Sequence, residues 1–592
     1  MDYALKPQSA GGKRETLISA GRALAPLLSS ETRNMAIAVA CVIVSTISNL
    51  LTPALVARVI DKAIRHADFG LLMRYAGVLA AVYVVALGTS YLQTLRMGTV
   101  GRNVLFRMRN RLFSQLSRLP IAFFAQNRAG DLISRVNNDT DRINQFFSQA
   151  LMQMFGNSFL VTGAGILLLA LNWKMGLIAL APAAAILLIT RVISPWVKRT
   201  SREGLESLGA LSGDISESLA NFQVIVAFNR NDYFREKLEA ANQRNYRAAA
   251  KAGIAAGLFM PLYTLAGAAA QILVMGLGVW LIGRGELTIG LLIGYLLYVT
   301  SFYNPLRQLA TVWSSLQQAM AALDRVQEVL NLESDLKQIA PSKADPAKGA
   351  LLAFDHVAFS YPGGKRVLED ISLSLERGRT YALVGPTGGG KTTTAMLMAR
   401  LYDPAEGTIH LDGRDIRSFD PAERAARIGF ILQDPFLLGG TVGENIAYGH
   451  SEFGALGDKA GLEEALTRRM DKLGLAGFMT RFSDGLATEV KGGGQGLSLG
   501  QKQLVAFLRA VLRGPEILIL DEATANIDTV TEQMLEEVLA KLPASTTKVI
   551  IAHRLNTIQN ADEIYFVGGG ALTAAGSMQH AMDMLLGHEG VS

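Results

Sequence analysis

Residues Gly385, Pro386, Thr387, Gly388, Gly389, Gly390, Lys391 and Thr392 run consecutively, directly after the apolar stretch Tyr381–Val384. They fit the phosphate-binding pattern G-x-x-x-x-G-K-[ST] between a strand and a helix. The chemistry needs these residue types. Glycines let backbone N–H groups curl round a β-phosphate, and the N-terminus of the following helix, where Thr393 sits, favours negative charge. Lys391 reaches the β- and γ-phosphates, and the Thr392 hydroxyl is a ligand for Mg²⁺. Further on, the apolar run Ile517–Leu520 ends in Asp521 and Glu522. One carboxylate at a strand tip can hold Mg²⁺ through water, and a second beside it can polarise an attacking water. Alone, such a pair is usually a solvated strand end. With the glycine-rich loop, it points to hydrolysis of a nucleoside triphosphate. The positioning elements are then a strand over Tyr381–Val384, a helix over Thr393–Leu401 and a strand over Ile517–Leu520, within an α/β domain from residue 350 onward.

The rest of the chain has another texture. Of its 592 residues half are hydrophobic and 18% charged, with a mean hydropathy of +0.25 and a net charge of +6. Disorder, collagen and coiled coil are excluded as whole-chain descriptions. The one cysteine, Cys41, excludes an internal disulfide and an all-cysteine metal site. Six stretches before residue 310 carry no charged side chain: Asn34–Ala57, Tyr75–Leu95, Ile143–Trp173, Met175–Thr190, Ala252–Gly283 and Leu287–Leu306. A helix needs about 20 mostly apolar residues to cross the hydrocarbon core, so these predict spans near 34–57, 75–95, 147–172, 175–195, 254–283 and 287–306. The second–third and fourth–fifth connections are long, arginine-rich and helical in periodicity, whereas those at Asn172–Lys174 and Arg284–Glu286 are tight. The positive-inside rule puts the long connectors, both termini and the α/β domain in the cytoplasm. The positive charge is thereby accounted for without a nucleic-acid partner. Residues 1–33 read as a cytoplasmic segment with an interfacial helix at Thr16–Leu28, and no cleaved signal peptide is expected. Residues 34–332 form the membrane domain, 333–349 a linker and 350–592 the α/β domain.

Leu497-Ser498-Leu499-Gly500-Gln501, some twenty residues before Asp521, resembles the signature motif of ATP-binding-cassette proteins. Tyr361, in Phe-Ser-Tyr-Pro, is similar to the aromatic residue that stacks on adenine in that family. Gln433 matches its glutamine loop, Ala525–Asp528 its D-loop and His553 its switch histidine. Six spans followed by one cassette resemble an exporter-type half-transporter. Pro120–Phe124 and Gly130–Arg135 look like its first coupling-helix region, and the second is expected near Ser216–Phe222.

The resemblance implies a fold of an all-α six-helix membrane domain with long cytoplasmic extensions, followed by an α/β P-loop cassette. It implies a head-to-tail dimer in which each ATP, with Mg²⁺, lies between the phosphate loop of one cassette and the signature of the other. Tyr361, the loop from Gly385 to Thr393, Ser498, Gly500 and Gln501 would contact nucleotide. Thr392, Gln433 and Asp521 would serve the metal, Glu522 would be the general base, and His553 and Gln433 would complete the catalytic set. Two departures stand out: Leu499 where the family usually has glycine, and Asn526 where it usually has alanine. They favour a heterodimer over a homodimer, with this chain contributing an intact Glu522 and a drifted signature.

The function implied is ATP-driven export of an amphipathic or lipophilic solute across the cytoplasmic membrane. An importer of a metal chelate and an ATP-gated channel or regulator are the alternatives, the latter disfavoured by Glu522. The near absence of ionisable residues in the spans leans towards lipids, drugs or apolar peptides. Tyr295, Tyr298, Tyr303, Gln149 and Gln153 are candidates to line a cavity, against lipid-facing or interhelical roles for any one of them.

Overall fold

The computed structural model describes residues 3–5, 29–340, 349–450, 453, 459–521, 529–551, 561–576, 579–581 and 583–584. They fall in two compact units. The described residues of 6–117 and 129–331 form the first, and those of 1–5, 118–128 and 332–592 the second.

The helices up to residue 330 are α1 (Thr32–Ile64), α2 (Phe69–Leu116), α3 (Ile121–Gln126), α4 (Ala129–Leu171), α5 (Trp173–Ala220), α6 (Phe222–Ala227), α7 (Asn231–Gly283) and α8 (Ile289–Leu330). All but the short α3 and α6 are long and apolar enough to cross a membrane, and each apolar window of the sequence falls on one of these six. Their ends are set by local chemistry. Asp68 caps α2 by accepting the Leu71 N–H at 2.9 Å, and Asn172 caps α5 by accepting from Lys174 and Met175 at 3.1 and 3.3 Å. The α4–α5 turn closes tightly because Gly176 has no side chain; a Cβ there would lie 2.6 Å from the Leu168 carbonyl oxygen. Pro261 lacks an N–H and explains the break in α7 at Leu258.

Lipid tails are as apolar as leucine, so packing and interhelical hydrogen bonds must hold such a bundle. Three tyrosines of α8 supply them. Tyr295 donates to Leu168 O on α4 at 2.8 Å, Tyr298 to Leu50 O on α1 at 2.8 Å and Tyr303 to Ala179 O on α5 at 2.8 Å. All three side chains are buried. They act as interhelical pins and not as cavity lining. Arg135 of α4, 1% exposed, reaches Glu328 Oε2 at 2.8 Å and the Arg325 carbonyl at 2.7 Å, tying α4 to α8.

The second connector corrects an expectation. Ser216–Ala220 still belong to α5, and the short helix there is α6, at Phe222–Ala227. Asn221 ends α5, with its amide donating to Glu217 O at 2.9 Å. Asn229, in the left-handed region at φ 49°, ends the turn after α6. These two asparagines shift the element by about one and a half turns from the anticipated place.

The second unit contains α3, placed there with residues 118–128 and not with the helices that flank it. Tyr3 supports this arrangement. Its ring packs edge-on to Phe123 with centroids 6.4 Å apart, and its N–H donates to Gln126 Oε1 at 2.8 Å. Its hydroxyl accepts from Asp335 N at 2.8 Å and donates to Glu333 O at 3.2 Å. The side chain is 1% exposed, and burial first, then the Asp335 contact, pushes the phenol up to about 12.

The remaining strands and helices, in chain order, are β1 (Leu352–Ser360), β2 (Arg366–Leu375), β3 (Thr380–Val384), α9 (Lys391–Met398), β4 (Glu406–Leu411), β5 (Arg414–Asp415), α10 (Pro421–Arg427), β6 (Ile428–Ile431), β7 (Gly440–Thr441), α11 (Val442–Ala447), α12 (Lys459–Leu473), β8 (Glu489–Val490), α13 (Leu499–Arg513), β9 (Ile517–Asp521), α14 (Thr529–Ala540), β10 (Thr547–Ile551), β11 (Glu563–Gly568) and β12 (Ala571–Ala574). The main sheet runs β12-β11-β3-β10-β9-β6, parallel except at β12, and a smaller antiparallel sheet runs β2-β1-β4-β5. Ile517–Leu520 are wholly buried because both faces of the sheet are covered, which is why β9 reads as a continuous apolar run without alternation.

Candidate nucleotide site

In an open parallel sheet, ligands bind beyond the carboxyl ends of the strands. Here β3 feeds the loop Gly385–Gly390, β9 ends in Asp521 and β6 leads to Gln433. Central β10 pairs with both β3 and β9, so that Ile551 stands level with Leu383 on one side and Asp521 on the other. The loop and the acidic strand tip are thus brought to one edge. Glu522, the D-loop residues 525–528 and His553 lie outside the described residues.

The loop has the shape its composition demands. Gly385 has φ 149° and Gly390 φ 104°, and a Cβ at Gly385 would stand 2.1 Å from the Val567 carbonyl oxygen of β11. Only glycine holds the chain against that strand in this conformation. Gly389 N donates to Pro386 O at 3.0 Å, rounding the turn that contains Thr387 and Gly388. Lys391 opens α9, is 5% exposed, and stretches its Nζ across the loop to Gly385 O at 2.8 Å and Pro386 O at 3.0 Å. A cation is therefore held over a cradle of backbone amides at a helix start, an arrangement suited to an anionic phosphate.

Thr392 Oγ1 lies 3.2 Å from Asp521 Oδ1. A hydroxyl and a carboxylate facing one another across the strand tips are hard oxygen donors suited to Mg²⁺, which takes one or two protein ligands and completes its shell with phosphates and water. Among the described residues no cluster of three or more His, Cys, Asp or Glu offers another metal site. Gln433 is exposed two residues beyond β6.

Tyr361 is half-buried, with its hydroxyl 3.0 Å from Thr393 Oγ1. Its ring stands edge-on to Phe359 and Tyr402, at 5.0 and 5.3 Å between centroids. Tyr402 escaped the sequence reading. Its signal was an aromatic residue shortly after the end of the phosphate-loop helix, where it fixes the tilt of Tyr361.

The signature segment is described apart from this edge. Ser498 is the N-cap of α13: its Oγ accepts from Gln501 N at 3.2 Å, and Gln501 Oε1 accepts from Ser498 N at 2.9 Å. This reciprocal box leaves the helix N-terminus presented at the surface. Leu499, 39% exposed, projects from the first turn. A Cβ at Gly500 would lie 2.9 Å from Thr531, so α13 and α14 approach closely there. Gln501 Nε2 also donates to Arg481 O at 2.7 Å.

At the opposite end of the sheet, Glu516 accepts from Arg427 Nε at 2.6 Å and Arg377 Nη1 at 2.7 Å, while Asp412 accepts from the same two guanidinia at 3.1 and 2.9 Å. The Arg427 contact, then Arg377, holds Glu516 below the usual carboxylate range. At Asp412 burial pushes upward but the two arginines outweigh it.

Comparison with known proteins places both units. Residues 35–306 match the ABC transporter transmembrane region family, and residues 368–525 match the ABC transporter family. The chain is 33% identical over 510 residues to the fatty acid ABC transporter ATP-binding/permease protein of Mycobacterium bovis, covering 86% of this chain and 79% of that one. It is 30% identical over 537 residues to a multidrug resistance ABC transporter ATP-binding and permease protein of Lactococcus lactis, covering 90% and 88%. It is 29% identical over 558 residues to the ATP-dependent lipid A-core flippase of Yersinia pestis, covering 94% of each.

Proposed function

The chain belongs to the ABC transporter family as a half-transporter of the exporter type, and from that premise we propose that it couples ATP hydrolysis to export of an amphipathic or lipophilic solute across the cytoplasmic membrane. It is a multi-pass membrane protein and an ATPase coupled to transport. In our reading both termini and the cassette face the cytoplasm, and the second half of the dimer is a different chain.

The observation that carries the reading is the meeting of Lys391, Thr392 and Asp521 at one sheet edge in a chain with six membrane helices. The loop amides and Lys391 would take the β- and γ-phosphates of ATP, with adenine on Tyr361. Thr392 and Asp521, with Gln433, would hold Mg²⁺, which when bound offsets the charge of the phosphates. Glu522 would accept a proton from the attacking water, and His553 would orient it. Ser498 and the α13 N-terminus would meet the γ-phosphate of the nucleotide bound to the partner half. Closure of the two cassettes would be carried to the membrane helices through α3, which belongs to the cassette's own compact unit.

Names of relatives support an amphipathic or lipophilic cargo: fatty acid, multidrug and lipid A-core. The reading is tested with the chain purified together with its partner half in lipid nanodiscs and a panel of amphiphiles. ATPase activity rises with the transported class and falls to background in Lys391→Ala. An activity indifferent to every amphiphile, or insensitive to Lys391→Ala, contradicts it.

A further inference from the structure

Residues 3–5 are clamped onto the C-terminal end of α3 by its cap residue, Asn127. Asn127 Oδ1 accepts from Leu5 N at 3.0 Å, and its Nδ2 donates to Tyr3 O at 3.0 Å. Tyr3 then reaches the other way, its hydroxyl accepting from Asp335 N and donating to Glu333 O. The segment that leaves α8 is thus clipped to α3. A linker whose only task was to join α8 to the cassette could stay flexible; this one is held again two residues further along.

The second hold is Arg400, 4% exposed. Its Nη2 donates to Lys337 O at 2.8 Å, its Nη1 to Arg417 O at 3.4 Å and its Nε to Asp403 Oδ1 at 2.9 Å. Ile339 N also donates to Arg417 O, at 3.1 Å. An arginine is almost never fully buried unless paired. The Arg400 backbone, at φ 52°, sits in the left-handed region that side chains of this size seldom enter. Such a conformation persists only where its surroundings over-determine it, and here they are Asp403 and the linker carbonyl. Arg400 stands two positions before Tyr402, whose ring lies edge-on to Tyr361. Burial, then the neighbouring Tyr361 and Asp335, pushes the Tyr402 phenol up, so Asp335 is within electrostatic reach of that ring pair. Residues 3–5, α3, the linker and both tyrosines belong to one compact unit.

We infer that residues 333–339 form a strap that sets the adenine platform, with Arg400 and Tyr3 as its positioning residues. Arg400 fixes the Tyr402 loop against the strap, and Tyr3 fixes the strap against α3. Tyr361 can stack on a base only while its ring plane is held, and Tyr402 holds it. A platform without its strap keeps the phosphate loop but loses its grip on the base. The strap therefore governs what the base adds to binding, not what the phosphates add. This rests on the assignment of adenine to Tyr361 and names what keeps that residue in place.

The test separates base from phosphates. The chain, assembled with its partner half in lipid nanodiscs, is photolabelled at low temperature with a ribose-linked benzophenone analogue of ATP, and the two chains are resolved on a gel. ATP and inorganic tripolyphosphate compete for labelling of this chain, and the ratio of the concentrations that halve it measures what the base adds. A thiol-reactive dye at the single buried Cys41 checks that the membrane helices of each variant melt as in the parent. Tyr3→Phe is expected to cut the advantage of ATP about fivefold, the worth of one hydrogen bond. Arg400→Lys cuts it about tenfold, because an ammonium lacks the planar fork that holds Asp403 and the Lys337 carbonyl together. Tripolyphosphate competes equally well in both variants and the parent. The double variant loses no more than Arg400→Lys alone, since both residues act through one strap. Parallel weakening of ATP and tripolyphosphate, or an unchanged ratio, overturns the inference. Tyr361→Ala then tells the two failures apart: if it loses the ratio, adenine still lies on Tyr361, and if it keeps the ratio, that assignment falls as well.

Discussion

Thr392 Oγ1 and Asp521 Oδ1 stand 3.2 Å apart, although they are 129 positions apart along the chain. Parallel strands β3 and β9, on either side of β10, bring them together, and the pair is the natural seat for the metal of a nucleotide-hydrolysing site. Asp521→Asn keeps the shape but removes the charge. Its Mg²⁺-dependent ATPase activity is expected to fall at least a hundredfold, about 2.7 kcal/mol in the barrier at 1.36 kcal/mol per decade, with nucleotide binding in chelator retained. Steady-state hydrolysis and fluorescent-nucleotide binding, measured side by side, check this.

Gly385 should tolerate nothing larger. A methyl group there meets the Val567 carbonyl at 2.1 Å, so Gly385→Ala must displace either the loop or β11. Nucleotide affinity is expected to fall tenfold or more while the membrane helices melt normally. The four tryptophans Trp173, Trp196, Trp280 and Trp313 all lie in the membrane domain, so their fluorescence reports that domain by itself.

Tyr3 joins α3 to the residues that follow α8. Tyr3→Phe loses a hydroxyl that both donates and accepts, at about 1–2 kcal/mol, and Tyr3→Ala leaves a cavity at about 3–5 kcal/mol. Limited proteolysis between residues 118 and 128 is expected to accelerate in that order. Equal protection in all three proteins would show that Tyr3 is a passenger.

In the bundle, Tyr298→Phe leaves the Leu50 carbonyl without the tyrosine's hydrogen bond. Interhelical hydrogen bonds of this sort are worth about 0.6–1.7 kcal/mol. The melting temperature read at Cys41 is expected to fall by a few degrees, with ATPase activity unchanged at low temperature.

Acid should weaken the cassette at a definite place. Glu516 and Asp412 are both held below their ordinary range, so their contribution is present above the unfolded values near 4 and is lost as pH falls through the depressed ones. Their side chains are a third to a half exposed, which limits the contribution to about 1 kcal/mol. Calorimetry of the parent and Glu516→Gln should converge as pH is lowered below about 4 and diverge above about 5.

What could be read beforehand was whatever is written locally. The phosphate loop, the acidic strand tip, the signature and the apolar windows are contiguous strings, and the strands and helices appear where those strings put them. What escaped depends on partners distant in sequence or on backbone geometry. Tyr3 is buried against residues more than a hundred positions away, the α8 tyrosines found carbonyls on three other helices, and Tyr402 became relevant only beside Tyr361. The π-helical turns at Val59–Ile64, Arg135–Asp139 and Phe146–Ala150 leave no compositional mark. The place of α6 was in fact written, in Asn221 and Asn229, which end helices, but the coupling segment was anticipated upstream of them.

The drifted signature gives its own prediction. Leu499 occupies the first turn of α13 where the family usually has glycine. Purified alone, the chain should show weak, amphiphile-insensitive ATPase activity, rising severalfold with its natural partner half. Robust stimulated turnover from a pure homodimer contradicts the heterodimer.

The most direct measurement uses proteoliposomes carrying the assembled transporter and a fluorescent acyl amphiphile, followed across the bilayer on addition of Mg²⁺-ATP. The account predicts redistribution that tracks hydrolysis and stops, with nucleotide still bound, in Glu522→Gln. Hydrolysis with no solute changing sides, or the same redistribution in Glu522→Gln, would contradict it.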